Sequence, residues 1–146
     1  ITDNRVFDVR QVGSGCQDGN AIEVRNAPFD TTGADVVATV SGNEVADYQK
    51  TGVVVNGSVV ATVVDNTIGG LGPVPYIAQN GVQIGFGAAA SVEDNIIADN
   101  FYTGTADADS CGLLVFQADG VKQRGNSFRD NERNLCNFGR GGGSSS

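Results

Sequence analysis

The chain returns to one asparagine five times. VVDNTIGG (63–70) and VEDNIIADN (92–100) each set a valine three residues before an asparagine and an isoleucine two residues after it. The same asparagine recurs as Asn4, Asn43, Asn66, Asn95 and Asn126, in steps of 39, 23, 29 and 31 residues. Two positions on stand Val6, Val45, Ile68, Ile97 and Phe128. Three positions before stand Ile1, Val40, Val63 and Val92, and Gln123 breaks the pattern in the last copy. A repeat with a variable step is one structural unit whose loops differ in length.

A second motif follows each asparagine: a small residue, then apolar, any, apolar. Its copies are Ala21-Ile22-Glu23-Val24, Gly52-Val53-Val54-Val55, Gly81-Val82-Gln83-Ile84 and Gly112-Leu113-Leu114-Val115, with a degenerate fifth in Asn134-Leu135-Cys136-Asn137. Apolar residues two apart on short segments bounded by Gly and Asn are strand signals. No segment of useful length repeats with the helical period. Such a unit cannot bury its apolar face alone, but stacked copies bury a continuous core, with successive strands parallel and about 4.8 Å apart. A coil of parallel strands follows the right-handed crossover rule. The expectation is an all-β, single-stranded right-handed parallel solenoid of about five coils over residues 1–138. Within it, each asparagine amide donates to one neighbouring copy and accepts from the other, which makes a structural ladder.

Composition narrows the function. The formal charge of −8 disfavours a nucleic-acid partner. The charge is uneven: residues 1–120 hold 15 acids and 4 bases, while residues 121–146 hold 2 acids and 5 bases. With no histidine in the chain, Ser-His-Asp and Cys-His chemistry is excluded. No apolar run approaches the roughly 20 residues of a membrane helix. No basic segment followed by an apolar one opens the chain, so a signal peptide is either removed or never present. Three cysteines allow at most one internal disulfide. Strand spacing alone puts Cys111 and Cys136 about 11 Å apart, beyond disulfide reach, unless the turn at Cys111 curls back. Cys16 lies in an insert and could reach elsewhere. The sequon Asn56-Gly57-Ser58 matters only in a eukaryotic secretory route.

GPVPYIAQNGVQIGFGAAASVEDNIIADNFYTG and CGLLVFQADGVKQRGNSFRDN, together with the five copies, resemble the right-handed parallel β-helix family, the pectate-lyase-like fold. Within it the chain is similar to bacterial secreted β-helix proteins of unassigned function. The resemblance implies a secreted or cell-surface location. Relatives with this fold cleave or epimerise polysaccharides, or serve as adhesins, tailspikes and scaffolds, and fold alone does not choose among them.

Registering the second motif gives two outer columns, Glu23-Val54-Gln83-Leu114-Cys136 and Arg25-Asn56-Gly85-Phe116-Phe138. Val54, Leu114, Phe116 and Phe138 are the candidate binding residues, with Cys136 completing an apolar patch that a partner, a sugar, a loop such as 101–110 or the tail would cover. Aspartates form columns four residues after the ladder asparagine (Asp8, Asp47, Asp99, Asp130) and just before it (Asp3, Asp65, Asp94). Asp is a good turn residue. Stacked carboxylates also invite a cation, which makes Asp99 and Asp130 candidate Ca²⁺ ligands. Family lyases pair such a metal with an Arg or Lys base, and Arg124, Arg129 and Arg133 form the one basic cluster in the sequence. No other cofactor is implied.

Five coils make a stack of only about 24 Å, and end coils are open sheet edges. The expectation is a piece of a longer protein, or a chain covered by another copy, with GRGGGSSS as a flexible tail (139–146). Three functions follow. The first is a module that binds polysaccharide or a protein partner without a complete active site. The second is a module that stacks end to end. The third is a polysaccharide lyase or glycoside hydrolase fragment.

Overall fold

The structure, a computed structural model, describes residues 1–11, 13–26 and 35–139. The tail beyond Gly139 lies outside the described residues. The first sheet joins β3 (Val36–Ser41), β6 (Val59–Val64), β9 (Ala89–Glu93) and β12 (Gly120–Arg124). The second joins β1 (Arg5–Phe7), β4 (Glu44–Ala46), β7 (Thr67–Val74), β10 (Ile96–Tyr102) and β13 (Ser127–Arg129). The third joins β2 (Asn20–Arg25), β5 (Thr51–Asn56), β8 (Asn80–Gly85), β11 (Cys111–Phe116) and β14 (Arg133–Phe138). All strand pairs are parallel, and each coil visits the three sheets in the same order. The parallel solenoid anticipated from the repeat is the fold.

Alternation decides what faces inward. Val40, Val63 and Val92 stack in the first sheet, Val45, Ile68 and Ile97 in the second, and Val53, Val82 and Leu113 in the third, all fully buried. Each such side chain contributes about 1.5–3 kcal/mol of transfer free energy. The small residue of the second motif has a steric cause. A Cβ on Gly81 would lie 2.3 Å from Ile97 Cγ2 and 2.6 Å from the Gly112 carbonyl oxygen.

The corner between first and second sheets explains the repeated asparagine. Asp3, Gly42, Asp65, Asp94 and Gly125 hold φ between +54° and +68°, in the left-handed region that Gly and Asp tolerate. The ladder residue follows. Asn4 Nδ2 donates to Asn43 Oδ1 (3.0 Å), Asn43 to Asn66 (2.8 Å), Asn66 to Asn95 (2.9 Å) and Asn95 to Asn126 (2.9 Å). The backbone N–H of each donor residue meets the same oxygen at 3.0 Å.

A second interior polar stack was not anticipated. Asn100 and Asn131, five residues beyond their ladder asparagines, repeat the same bond at 2.9 Å. Tyr48, at the same offset, donates to Asn100 Oδ1 at 2.5 Å across an intervening coil. That coil carries Gly70, where a Cβ would meet Asp99 O at 2.4 Å and Gln79 Oε1 at 3.0 Å. Burial raises the Tyr48 phenol well above its ordinary pKa, so it stays a neutral donor.

Candidate outer groove

The two predicted outer columns are the observed register of the third sheet: Glu23, Val54, Gln83, Leu114 and Cys136 face one another in turn, as do Arg25, Asn56, Gly85, Phe116 and Phe138. Their exposure differs from the expectation. Val54, between Glu23 and Gln83 in the column, is only 2 % exposed, so it fills space instead of offering a contact. Leu114 and Phe116 are half-buried, Cys136 is buried, and Phe138 is 52 % exposed.

Cys136 is buried because it is bonded to Cys111, with Cα atoms 5.9 Å apart. The strand register is the one expected, with Cys111 opposite Arg133 and Leu114 opposite Cys136. The bridge forms all the same, between the first residue of β11 and the residue opposite Leu114 on β14. Cys16 is free and exposed.

The loop before β11, residues 103–110, flanks the sheet. Ser110 N–H donates to Glu132 Oε2 (2.8 Å), Ser110 Oγ accepts from Gln79 N–H (2.9 Å), and Asp109 pairs with Arg133 at 3.0 Å. Between loop and sheet lies a cavity of about 450 Å³ bordered by Lys50, Asn80, Asp107, Leu114, Phe116 and Phe138. A second, of about 160 Å³, continues toward the first coil between Asn20, Glu23, Arg25, Thr51 and Phe86. Lys50 borders both. Its Nζ donates to the Ala78 carbonyl at 2.8 Å, and burial pushes the amine below its ordinary pKa.

Two features mark this groove. Asn20, Thr51 and Asn80 stand opposite one another on β2, β5 and β8. Asn20 Oδ1, Thr51 Oγ1 and Asn80 Oδ1 are buried without a hydrogen-bond partner among the described residues. Each orphaned acceptor costs about 1–3 kcal/mol. Secondly, Phe86 holds φ +54°, a strained conformation for a bulky residue, where the equivalent position one coil earlier is Gly57. The strain of about 1–2 kcal/mol sets the Phe86 ring edge-on to Phe116, with centroids 5.4 Å apart. Unsatisfied polar groups and backbone strain together are typical of binding sites.

The other candidates fall elsewhere. Asp99 and Asp130 are exposed corner residues with φ +59° and +49°. Among the described residues no three His, Cys, Asp or Glu side chains gather as a metal site. Arg124, Arg129 and Arg133 lie on three different sheets. Arg124 pairs with Glu93 at 2.5 Å and Arg133 with Asp109. Asn56 of the sequon is buried, and its Oδ1 accepts from Gln83 Nε2 at 3.3 Å. Sequence reasoning missed Lys50 and Asn80, whereas the 103–110 flank falls within the 101–110 loop expected to fold over the apolar patch. The offset shared by Asn20, Thr51 and Asn80, one residue before each small residue of the second motif, was the available signal.

The family model for the right handed beta helix region matches residues 29–141, more than half of the chain. The chain belongs to the right-handed β-helix family. No curated protein and no solved structure matches it significantly. Among the described residues of this β-helix, no helix is long and apolar enough to cross a membrane.

Proposed function

We propose that this β-helix is a secreted or surface module that binds polysaccharide in the outer groove of its third sheet, without a complete active site of its own. The observation that carries the reading is the groove's two-sided chemistry. Leu114, Phe116 and Phe138 give an apolar, aromatic floor, while orphaned acceptors on Thr51 and Asn80 border the other side. A sugar ring offers the matching pair, an apolar C–H face and hydroxyl edges. Affinity electrophoresis against immobilised polysaccharides tests it with two variants. Phe138→Ala removes an exposed ring, and Phe86→Gly relieves backbone strain while losing the ring. Both are expected to keep the native melting temperature within a few degrees and to lose retention. Retention unchanged in both variants would move the ligand off this face.

A second reading, end-to-end stacking, is favoured by the ladder. Its donors point from Asn4 toward Asn126, so one end of the stack offers an acceptor and the other a backbone donor. A cavity of about 220 Å³ opens beside Leu113, Val115, Val121 and Leu135 at the last coil. Sedimentation velocity over a hundredfold concentration range separates the readings, since a constant monomer rules out stacking.

A further inference from the structure

We infer that Lys50 is a displaceable divider in the outer groove, and that the ligand displacing it is a neutral, extended glycan lying along the helix axis. The inference rests on the groove reading above and adds the ligand class and the moving part.

Lys50 alone borders both cavities, which otherwise follow one another along the coils. Beside it run the Thr51 and Asn80 acceptors, one per coil, at the inter-strand spacing of about 4.8 Å. The closed arrangement is costly on both sides. The amine is held in a desolvated position with the Ala78 carbonyl as its partner, and the acceptors go unpaired. Rotation of the lysine stem into solvent rehydrates the amine and joins the cavities into one trough. Hydroxyl donors arriving at a repeat close to the strand spacing then meet one acceptor per coil.

Charge selects the neutral class. Glu23 is paired with Arg25 at 2.9 Å and Asp109 with Arg133 at 3.0 Å, while Lys50 and Asp107 add one charge of each sign. The lining presents no excess of positive charge, and the molecule as a whole carries −8. A polyuronate would approach against that field and find no basic row to neutralise it. A neutral chain loses nothing to either effect.

The test uses the full chain with ¹³C-labelled lysine, since Lys50 and Lys122 are the only two lysines. Neutral β-1,4-linked hexasaccharides (cellohexaose, mannohexaose, xylohexaose) are titrated beside an oligogalacturonate of equal length. At least one neutral probe is expected to bind with little salt dependence. The Lys50 ¹³Cε titration is then expected to move toward the ordinary lysine value while Lys122 stays fixed. Lys50→Ala is expected to bind that probe about tenfold more tightly if the displaced state is a tenth of the free population. Preference for the galacturonate, fading with salt, would overturn the neutral class and leave the groove. Neutral binding with an unmoved Lys50 resonance, and no gain in Lys50→Ala, would overturn the divider and leave the groove. No saccharide binding to either wild type or Lys50→Ala would remove the groove reading as well.

Discussion

Asn95→Ala is the sharpest perturbation of the fold. Asn95 is 1 % exposed, and its amide nitrogen donates to Val63 O (3.0 Å), Glu93 O (2.9 Å) and Asn126 Oδ1 (2.9 Å). Its oxygen accepts from the Asn66 backbone N–H (3.0 Å) and from Asn66 Nδ2 (2.9 Å). Truncation strands the buried Asn66 N–H, which costs about 1–3 kcal/mol, while Asn66 Nδ2 keeps the carbonyls of Val40 and Val64. The other lost bonds bring the total to about 3–5 kcal/mol. Asn4→Ala is the control. Asn4 is exposed, and after truncation Asn43 Oδ1 still receives the Asn4 backbone N–H, so the loss is about 0.5–1.5 kcal/mol. Asn95→Asp separates donor from acceptor. It keeps the oxygen that Asn66 uses but sets a buried carboxylate against the Val63 and Glu93 carbonyls, so it is expected to destabilise more than alanine at neutral pH. Urea unfolding followed by two probes measures all three, with coincident transitions confirming two-state behaviour. If Asn95→Ala and Asn4→Ala agreed within about 1 kcal/mol, the ladder would not be the stacking device argued above.

Three further outcomes are expected. Reducing the Cys111–Cys136 bridge, which closes a separation of 25 residues, lowers stability by about 3.5 kcal/mol in the chain-entropy account, read from unfolding with and without reductant. Gly81→Ala forces its Cβ into Ile97 and the Gly112 carbonyl and costs about 2 kcal/mol or more, whereas a fall in melting temperature of under a degree would contradict the packing described. Because the folded Lys50 gives up its proton below the ordinary value of 10.5, the unfolded chain binds more protons through that alkaline window, and stability rises with pH there. Lys50→Met should lack this rise in thermal melts between pH 7 and 10, and parallel curves for the two proteins would refute the sign.

The fold was legible because the solenoid makes distant positions equivalent. A ladder residue must present the same amide at each level, so Asn4 through Asn126 repeat in identity, and Val40, Val63 and Val92 repeat in size. The outer registers followed from the same arithmetic. Exposure did not, because a column pattern fixes which residues face one another and not how their side chains pack: Val54 is buried while Phe138, on the neighbouring column, is half exposed. The groove was only partly legible. Its flank was legible as the 101–110 loop expected over the apolar patch, but its distinctive lysine occurs in one coil only, so no repeat pattern pointed to it. The aspartate columns read as candidate ligands because turn chemistry and metal chemistry favour the same residue, and the corner dihedrals account for their positions.

The contrast between columns bears on how the groove would recognise a ligand. Columns that stay constant, such as the asparagines and the inner valines, satisfy translational symmetry and hold the stack. The outer column that begins with Glu23 changes character: with Val54 buried, its accessible members run from charged Glu23 through Gln83 to Leu114, and it ends at the disulfide. A solenoid converts sequence order into distance along its axis, so this change is a gradient from polar to apolar across four strand spacings, about 19 Å. A short ligand samples one end of that gradient, and a long one samples both. Affinity for a neutral oligosaccharide series is therefore expected to climb with length until the chain spans from Glu23 to Phe138, and then level off. Calorimetry across the series measures this, and equal affinities for the disaccharide and the hexasaccharide would mean that a single coil makes the site and that the gradient plays no part in binding.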